Sequence, residues 1–328
     1  LNTPLSLRWT YKTEDAISSS PIVCNKIIYA ASTDGTIYAV DYTGRLKWKF
    51  KTDVAFEASP IIIKNTLIVG NLEGKVYALD AKRGKLKWTY TTEGQVSGSA
   101  NWASDGNKIM IIIPSYDFYL HALDLETGEL LWKYETDNYL NGAPACDNKN
   151  IVIGGCDGYM HIIESQTGKE TGKVQIETYI AESSALLSNI AYVGDYDGVF
   201  YAVDLLNKKI KWKFTNTSGG SFLSSPSVYK NKVVIGSQDK KVFCFDKETG
   251  SLNWTFQTQG KIESSPVIMK DKVIISSKDG FIRFLSLEDG ALIHEYEIGI
   301  GIKSTPAVAG RMLVVGGDDG KIYTFFGK

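Results

Sequence analysis

Gly74-Lys-Val-Tyr-Ala-Leu-Asp-Ala-Lys-Arg-Gly-Lys-Leu-Lys-Trp88 is the fullest copy of a pattern that returns eight times along the chain, each time followed by a polar loop and a Ser-Pro-like step. A tryptophan column reads Trp9, Trp48, Trp88, Trp132, Val174, Trp212, Trp254 and His294. The step into the next unit reads Pro21, Pro60, Ala100, Pro144, Ser184, Pro226, Pro266 and Pro306. Both columns advance by about 40 residues, the period of four-stranded propeller blades. A unit of that size cannot bury its own apolar faces, so neighbouring units must share a core. The spacing therefore predicts an all-β, eight-bladed β-propeller of four-stranded antiparallel blades.

Within one unit, Pro60 to Ile63, Leu67 to Val69, Lys75 to Leu79 and Lys85 to Tyr90 read as strands separated by turn residues. The third of these reads as alternating polar and apolar. Asp-Gly pairs at Asp34, Asp157, Asp197, Asp279 and Asp319 supply turns that need a positive φ. Small residues before the proline column, such as Ser19-Ser20 and Ser264-Ser265, suit strands crowded about a central axis and need not be nucleophiles. Trp9, Trp48, Trp88, Trp132, Trp212 and Trp254 are read as inter-blade wedges, each burying about 150–250 Å². At Val174 the column breaks, the preceding turn Gly168 to Gly172 reads as lengthened and the next proline is Ser184, so that blade is expected to be the loosest. The chain opens with a lone strand, Leu5 to Thr13, and stops after a third strand, so the N-terminal strand is expected to complete the last blade.

The repeat fills the 328 residues from end to end and implies a single domain, 1–328. A net charge of −1 gives no global attraction to nucleic acid, and the apolar runs are strand-sized, far below a membrane span. Leu1-Asn-Thr-Pro4 carries neither an initiator methionine nor a basic or apolar targeting stretch, which leaves the compartment open. Cys24, Cys146, Cys156 and Cys244 are scattered, without Cys-x-x-Cys spacing, and read as free thiols.

The Ala-x-Asp-x-x-Thr-Gly-x-x-x-Trp pattern, as in Ala122-Leu-Asp-Leu-Glu-Thr-Gly-Glu-Leu-Leu-Trp132, resembles the repeat of the pyrroloquinoline-quinone (PQQ) propellers over the whole chain. That resemblance takes in quinoprotein dehydrogenases, the periplasmic outer-membrane assembly scaffold and the luminal domains of stress-sensing kinases. The dehydrogenases imply PQQ, often against a vicinal Cys-Cys ring, with calcium held by Glu, Asn and Asp on long inserted loops. Adjacent cysteines and long insertions are both missing from this sequence, so no catalytic residue is carried over, and no cofactor is expected. The resemblance points toward export or the cell surface; the free thiols point toward a reducing compartment.

His121 and His161 stand in a column otherwise filled by Tyr38, Tyr77, Tyr201, Phe243 and Tyr323, and His294 takes a tryptophan slot, so all three read as packing residues. The lead-in loops and the turns between second and third strands should share a face rich in acids such as Asp34, Glu57, Asp117, Asp137 and Asp197, with lysines and arginines on the other. Asp195 with Asp197, or Asp318 with Asp319, could offer calcium oxygen ligands but lack a complete loop. On the acidic face Phe56, Tyr116, Phe118, Tyr139, Tyr179, Tyr196 and Phe222 crowd blades two to six, the uneven decoration a partner site would need. Trp102, in a lengthened first hairpin, reads as core or as a separate contact. The reading is a monomeric, non-catalytic scaffold that binds a protein or peptide, without nucleic acid or membrane insertion; the alternative is a PQQ-dependent dehydrogenase-like protein with a degenerate or absent quinone site.

Overall fold

The computed structural model describes residues 1–327. Eight four-stranded antiparallel sheets stand in a ring. Blade 1 runs from the innermost strand Ile22–Cys24 through Ile27–Ala31 and Thr36–Asp41 to the outermost strand Leu46–Lys51. Six more blades repeat this order, and the eighth takes its first three strands from the C-terminus and its outermost strand, Leu5–Lys12, from the N-terminus. Pairing of Leu5 with Gly327 and Lys12 with Lys321 closes the ring without a covalent joint.

Second and third strands are buried along nearly their whole length, Lys75–Asp80 included. The alternation expected there is absent because both faces of these strands lie against neighbouring blades, so both must be apolar. Only the outermost strands alternate exposed with half-buried residues.

The repeat motif is a set of knobs and holes. Just before each tryptophan the outermost strand slips register by one residue, as between Ala78 and Leu79, and this bulge sets the indole opposite a small residue: Ala39, Ala78, Ala122, Ala202 or Cys244. The motif aspartate caps the following turn; Asp80 accepts from the backbone N–H of Lys82 and Arg83 at 3.0 and 2.9 Å. Its glycine serves the previous blade. A Cβ on Gly84, where φ is +67°, would lie 2.5 Å from Cδ2 of Trp48. The Trp48 Nε1–H then donates to the Ala81 carbonyl at 3.0 Å, and Trp88, Trp212 and Trp254 repeat the bond to Leu125, Lys247 and Leu287. Trp9 closes the ring on Gly44 and the Tyr42 carbonyl. Trp132 sits on Gly168, but its buried N–H finds no acceptor among the described residues.

One joint inverts this rule. Val174 pairs with Met160 and lies two residues past the tryptophan column, whose occupant in blade 4 is Gly172, opposite Ile162. The expected lengthened turn is absent, since Gly168 stands where the other blades have their turn glycine. In blade 5 that glycine is Lys208, at φ +53°, and its stem fills the space of the missing indole: a Cβ on Gly172 would be 2.6 Å from Lys208 Cδ. The Lys208 ammonium donates to the Thr171 carbonyl. Large and small have changed sides, and the joint stays filled.

A second column escapes the sequence reading. Ile17, Phe56, Val96, Leu140, Ile180, Phe222, Ile262 and Ile302, one per lead-in segment, are all at most 1% exposed. Glycines at the ends of second strands receive several of them from the next blade; a Cβ on Gly194 would lie 2.2 Å from Phe222 and one on Gly70 2.2 Å from Val96. Phe56 and Phe222 therefore leave the set of surface aromatics and join the core, because their loops must plug the gap between blade tops.

Candidate functional site

Backbone hydrogen bonds assign the loops to faces. Thr33 N–H donates to Ala16 and Cys156 N–H to Tyr139, tying second-to-third turns to lead-in loops on one face. Tyr42 N–H donates to Lys26, tying the remaining turns to each other on the opposite face.

The lead-in face is not uniformly acidic. Loops of blades 1 to 5 carry Glu14, Asp53, Glu93, Asp137, Glu177 and Asp197 without a lysine or arginine, while blades 6 to 8 add Lys240, Lys261, Lys278 and Lys303. Several carboxylates in the turns do local work. Asp34 accepts from the Tyr38 hydroxyl at 2.7 Å, Asp319 accepts from Tyr323, and Asp279 pairs with Arg283. Asp318 pairs with Lys278 at 2.9 Å, and the buried Asp195 accepts from Tyr201 and the Val199 N–H, so these calcium candidates are engaged by protein groups. Burial pushes the Asp195 carboxyl above its usual range.

The histidines belong to the packing. His121, 4% exposed, lies 3.0 Å from Asp117 through Nε2 and 3.1 Å from the Tyr90 hydroxyl through Nδ1. His161 repeats this between Asp157 and Tyr134, at 2.8 and 2.9 Å. Each imidazole links a turn of its own blade to the outermost strand of the blade before. His294 accepts from the Leu5 N–H at 3.2 Å, at the joint where the ring closes.

The remaining aromatics form an arc over blades 3 to 5. Tyr139 lies 5.0 Å from Tyr116 and 5.1 Å from Phe118 between ring centroids, and Tyr179 stacks on Tyr196 at 4.6 Å. Phe118, Tyr139 and Tyr196 are 38, 44 and 45% exposed. Phe118 has φ +73°, in a turn position where blades 1, 2, 4, 5, 7 and 8 place Gly35, Gly74, Gly158, Gly198, Gly280 and Gly320. A bulky side chain there strains the backbone. Exposed Glu93, Asp137, Glu177 and Asp197 border the arc. Trp102 lies apart from it, 45% exposed on the innermost strand of blade 3.

Inside the arc the axis opens as a polar cavity of about 360 Å³. A belt of hydroxyls runs around its wall: Ser20 N–H donates to Ser59 Oγ, Ser59 to Ser99, Ser225 to Ser265, Ser265 to Thr305 and Thr305 back to Ser20, at 2.8–3.0 Å. These serines are structural, each binding the next innermost strand. Glu57, Glu182, Glu263 and Lys303 break the pattern of small residues and face the cavity. Burial pushes the Glu182 carboxyl up to about 7, with Glu263 adding to the rise and Lys303 opposing it.

A family described as the β-propeller of the β-alanine-activating enzyme matches residues 42–326. The chain belongs to that family. In structure it is similar to BamB from Moraxella catarrhalis, at a TM-score of 0.85 and 18% identity, over 98% of this chain and 100% of that one. It is equally similar to the computationally designed Ika8 protein, at a TM-score of 0.85 and 19% identity, over 96 and 97% of the two chains. No curated protein matches the chain. At these identities the structural likenesses establish the eight-bladed ring.

Proposed function

We propose that this propeller is a non-catalytic scaffold that binds a basic protein or peptide segment across blades 3 to 5 of its lead-in face. Phe118 carries the reading. Six blades relax the same turn with glycine and blade 6 places the flexible Lys240 there at φ +68°, whereas blade 3 holds an exposed aromatic in that strained conformation, beside Tyr116 and Tyr139. Strain retained where folding favours glycine points to selection for binding, and aromatics ringed by like charges suit a partner segment that mixes apolar and cationic residues. The resemblance to BamB supports a scaffold at the level of architecture.

The residues at the axial mouth do not suit PQQ. A quinone polycarboxylate would face Glu57, Glu182 and Glu263 with Lys303 as its one counter-charge among the cavity-lining groups.

The test compares wild type with Phe118→Gly and Tyr139→Ser/Tyr179→Ser. A partner recovered by cross-linking from lysate of the native source is purified and titrated against each. Binding should weaken at least tenfold in both variants, while Phe118→Gly unfolds later than wild type by about 1 kcal/mol. Unchanged affinity in both variants refutes the proposal.

A further inference from the structure

We propose that the axial cavity binds a small organic cation through its primary ammonium group, held between the carboxylates of Glu182 and Glu263 and the side-chain carbonyl of Asn141. Three observations support this. The first is a break in the repeat: where blade 5 has Glu182, the other seven have Ser19, Ala58, Gly98, Gly142, Ser224, Ser264 and Ser304. The fold asks for a small residue there, and a carboxylate near the axis opposes folding by its desolvation.

The second is the state of that carboxylate. Its neighbours are the Ser183 backbone amide, Glu263 and Lys303, and no ion pair within 4.0 Å engages it among the described residues, while Lys278, the cation beside Glu263, is taken by Asp318. The third is independent of the acids. Asn141, a residue of the cavity wall, donates through Nδ2 to Cys156 Sγ at 3.3 Å, and its buried Oδ1 has no partner among the described residues. A primary ammonium offers three N–H donors and a positive charge, the complement of two carboxylates and an unfilled carbonyl. Each hydroxyl of the belt accepts one backbone N–H and keeps a second lone pair, so the belt can add an acceptor to a bound ammonium. A volume of about 360 Å³ lies at the small-ligand end of binding cavities.

The groups facing Glu182 across the cavity are Glu263 of blade 7 and Lys303 of blade 8, with Glu57 of blade 2 and Tyr116 of blade 3 on the same wall. A cation binds the ionised form of Glu182, which dominates above pH 7. Affinity should therefore be about tenfold higher at pH 8 than at pH 6.

The experiment is calorimetric titration of the whole chain with 1,4-diaminobutane, at constant ionic strength and at both pH values. A lysine-containing tripeptide serves as a second probe to separate a free amine from a partner's side chain. Stoichiometric binding at pH 8, about tenfold weaker at pH 6 and at least tenfold weaker in Glu182→Gln, bears the proposal out. Lys303→Gln removes a competing cation from an exposed rim position and should tighten binding several-fold, so the inference stays testable should Glu182→Gln misfold. Binding of the diamine identifies a free-amine site, and binding of the tripeptide alone identifies a lysine socket. Failure of both probes, equal affinity in Glu182→Gln, or affinity independent of pH overturns it. Tyr139→Ser/Tyr179→Ser should leave diamine binding intact, which keeps this site distinguishable from the aromatic arc.

Discussion

Replacing Gly84 with alanine tests the packing rule of the ring at a position far from either candidate site. Two effects add. The residue has φ +67°, where an L side chain costs about 1–2 kcal/mol. The new Cβ would also stand 2.5 Å from Cδ2 and 2.6 Å from Cε3 of Trp48, against the 3.5–4.0 Å of an ordinary carbon contact. The indole must withdraw by about 1 Å or more, a displacement in the range of overpacked cores, about 1–3 kcal/mol. The total is about 2–5 kcal/mol. Gly106 supplies the control, because at φ +92° it carries the backbone penalty while a Cβ there meets nothing within 4 Å; Gly106→Ala should cost about 1–2 kcal/mol. Urea unfolding followed by far-ultraviolet circular dichroism measures both. In the double variant Trp48→Ala/Gly84→Ala the clash vanishes, so the two losses should fall short of additivity by about 1–3 kcal/mol. Equal losses in Gly84→Ala and Gly106→Ala, or strict additivity with Trp48→Ala, would refute the account of the motif glycine as a seat for the preceding indole.

Trp88 Nε1–H bonds the Leu125 carbonyl whereas that of Trp132 is orphaned, so Trp88→Phe should destabilise by about 1–2 kcal/mol more than Trp132→Phe in the same unfolding assay. Gly172→Trp should clash with the Lys208 stem and destabilise by about 1–3 kcal/mol; adding Lys208→Gly should recover most of that loss, and no recovery would show that the joint is not an exchanged knob and hole. The folded-state pKa of Glu182, about 7, lies above its ordinary value of 4.5, so the stability linked to its protonation is full below pH 4.5 and is lost as pH rises through 7. Without ligand, Glu182→Gln should therefore be more stable than wild type at pH 8 by up to about 3 kcal/mol, with the gap closing by pH 5; a gap that does not vary with pH would show that Glu182 is not desolvated.

The aromatic arc and the core plugs were not separable from composition alone. Phe56 and Phe222 follow polar loops just as Tyr139 and Tyr179 do. The difference lies in the repeat register: aligned with Ile17, Val96, Leu140, Ile180, Ile262 and Ile302, the two phenylalanines fall at a constant spacing before the proline column, and Tyr139 and Tyr179 fall one residue earlier. That column was available in the sequence. So was Glu182, the one acid among serines, alanines and glycines. So was the occupant of the tryptophan column in blade 4: each indole follows its turn glycine by four residues, as Trp88 follows Gly84 and Trp132 follows Gly128, and the same count from Gly168 reaches Gly172 rather than Val174.

Local chemistry read from residue order was sufficient for the number of blades, the order of strands and the closure by the N-terminal strand, because each repeat writes its own turns and the period counts the units. Contacts between units were decided by tertiary structure: which glycine seats which indole, which loop residue becomes a plug, and which side chains from blades 2, 5, 7 and 8 meet at the axis. The reason is geometric. A repeat specifies its own hydrogen bonds through neighbours a few residues apart, whereas the axis and the seams bring together residues about 40 to more than 200 positions distant, and only closure of the ring sets them face to face.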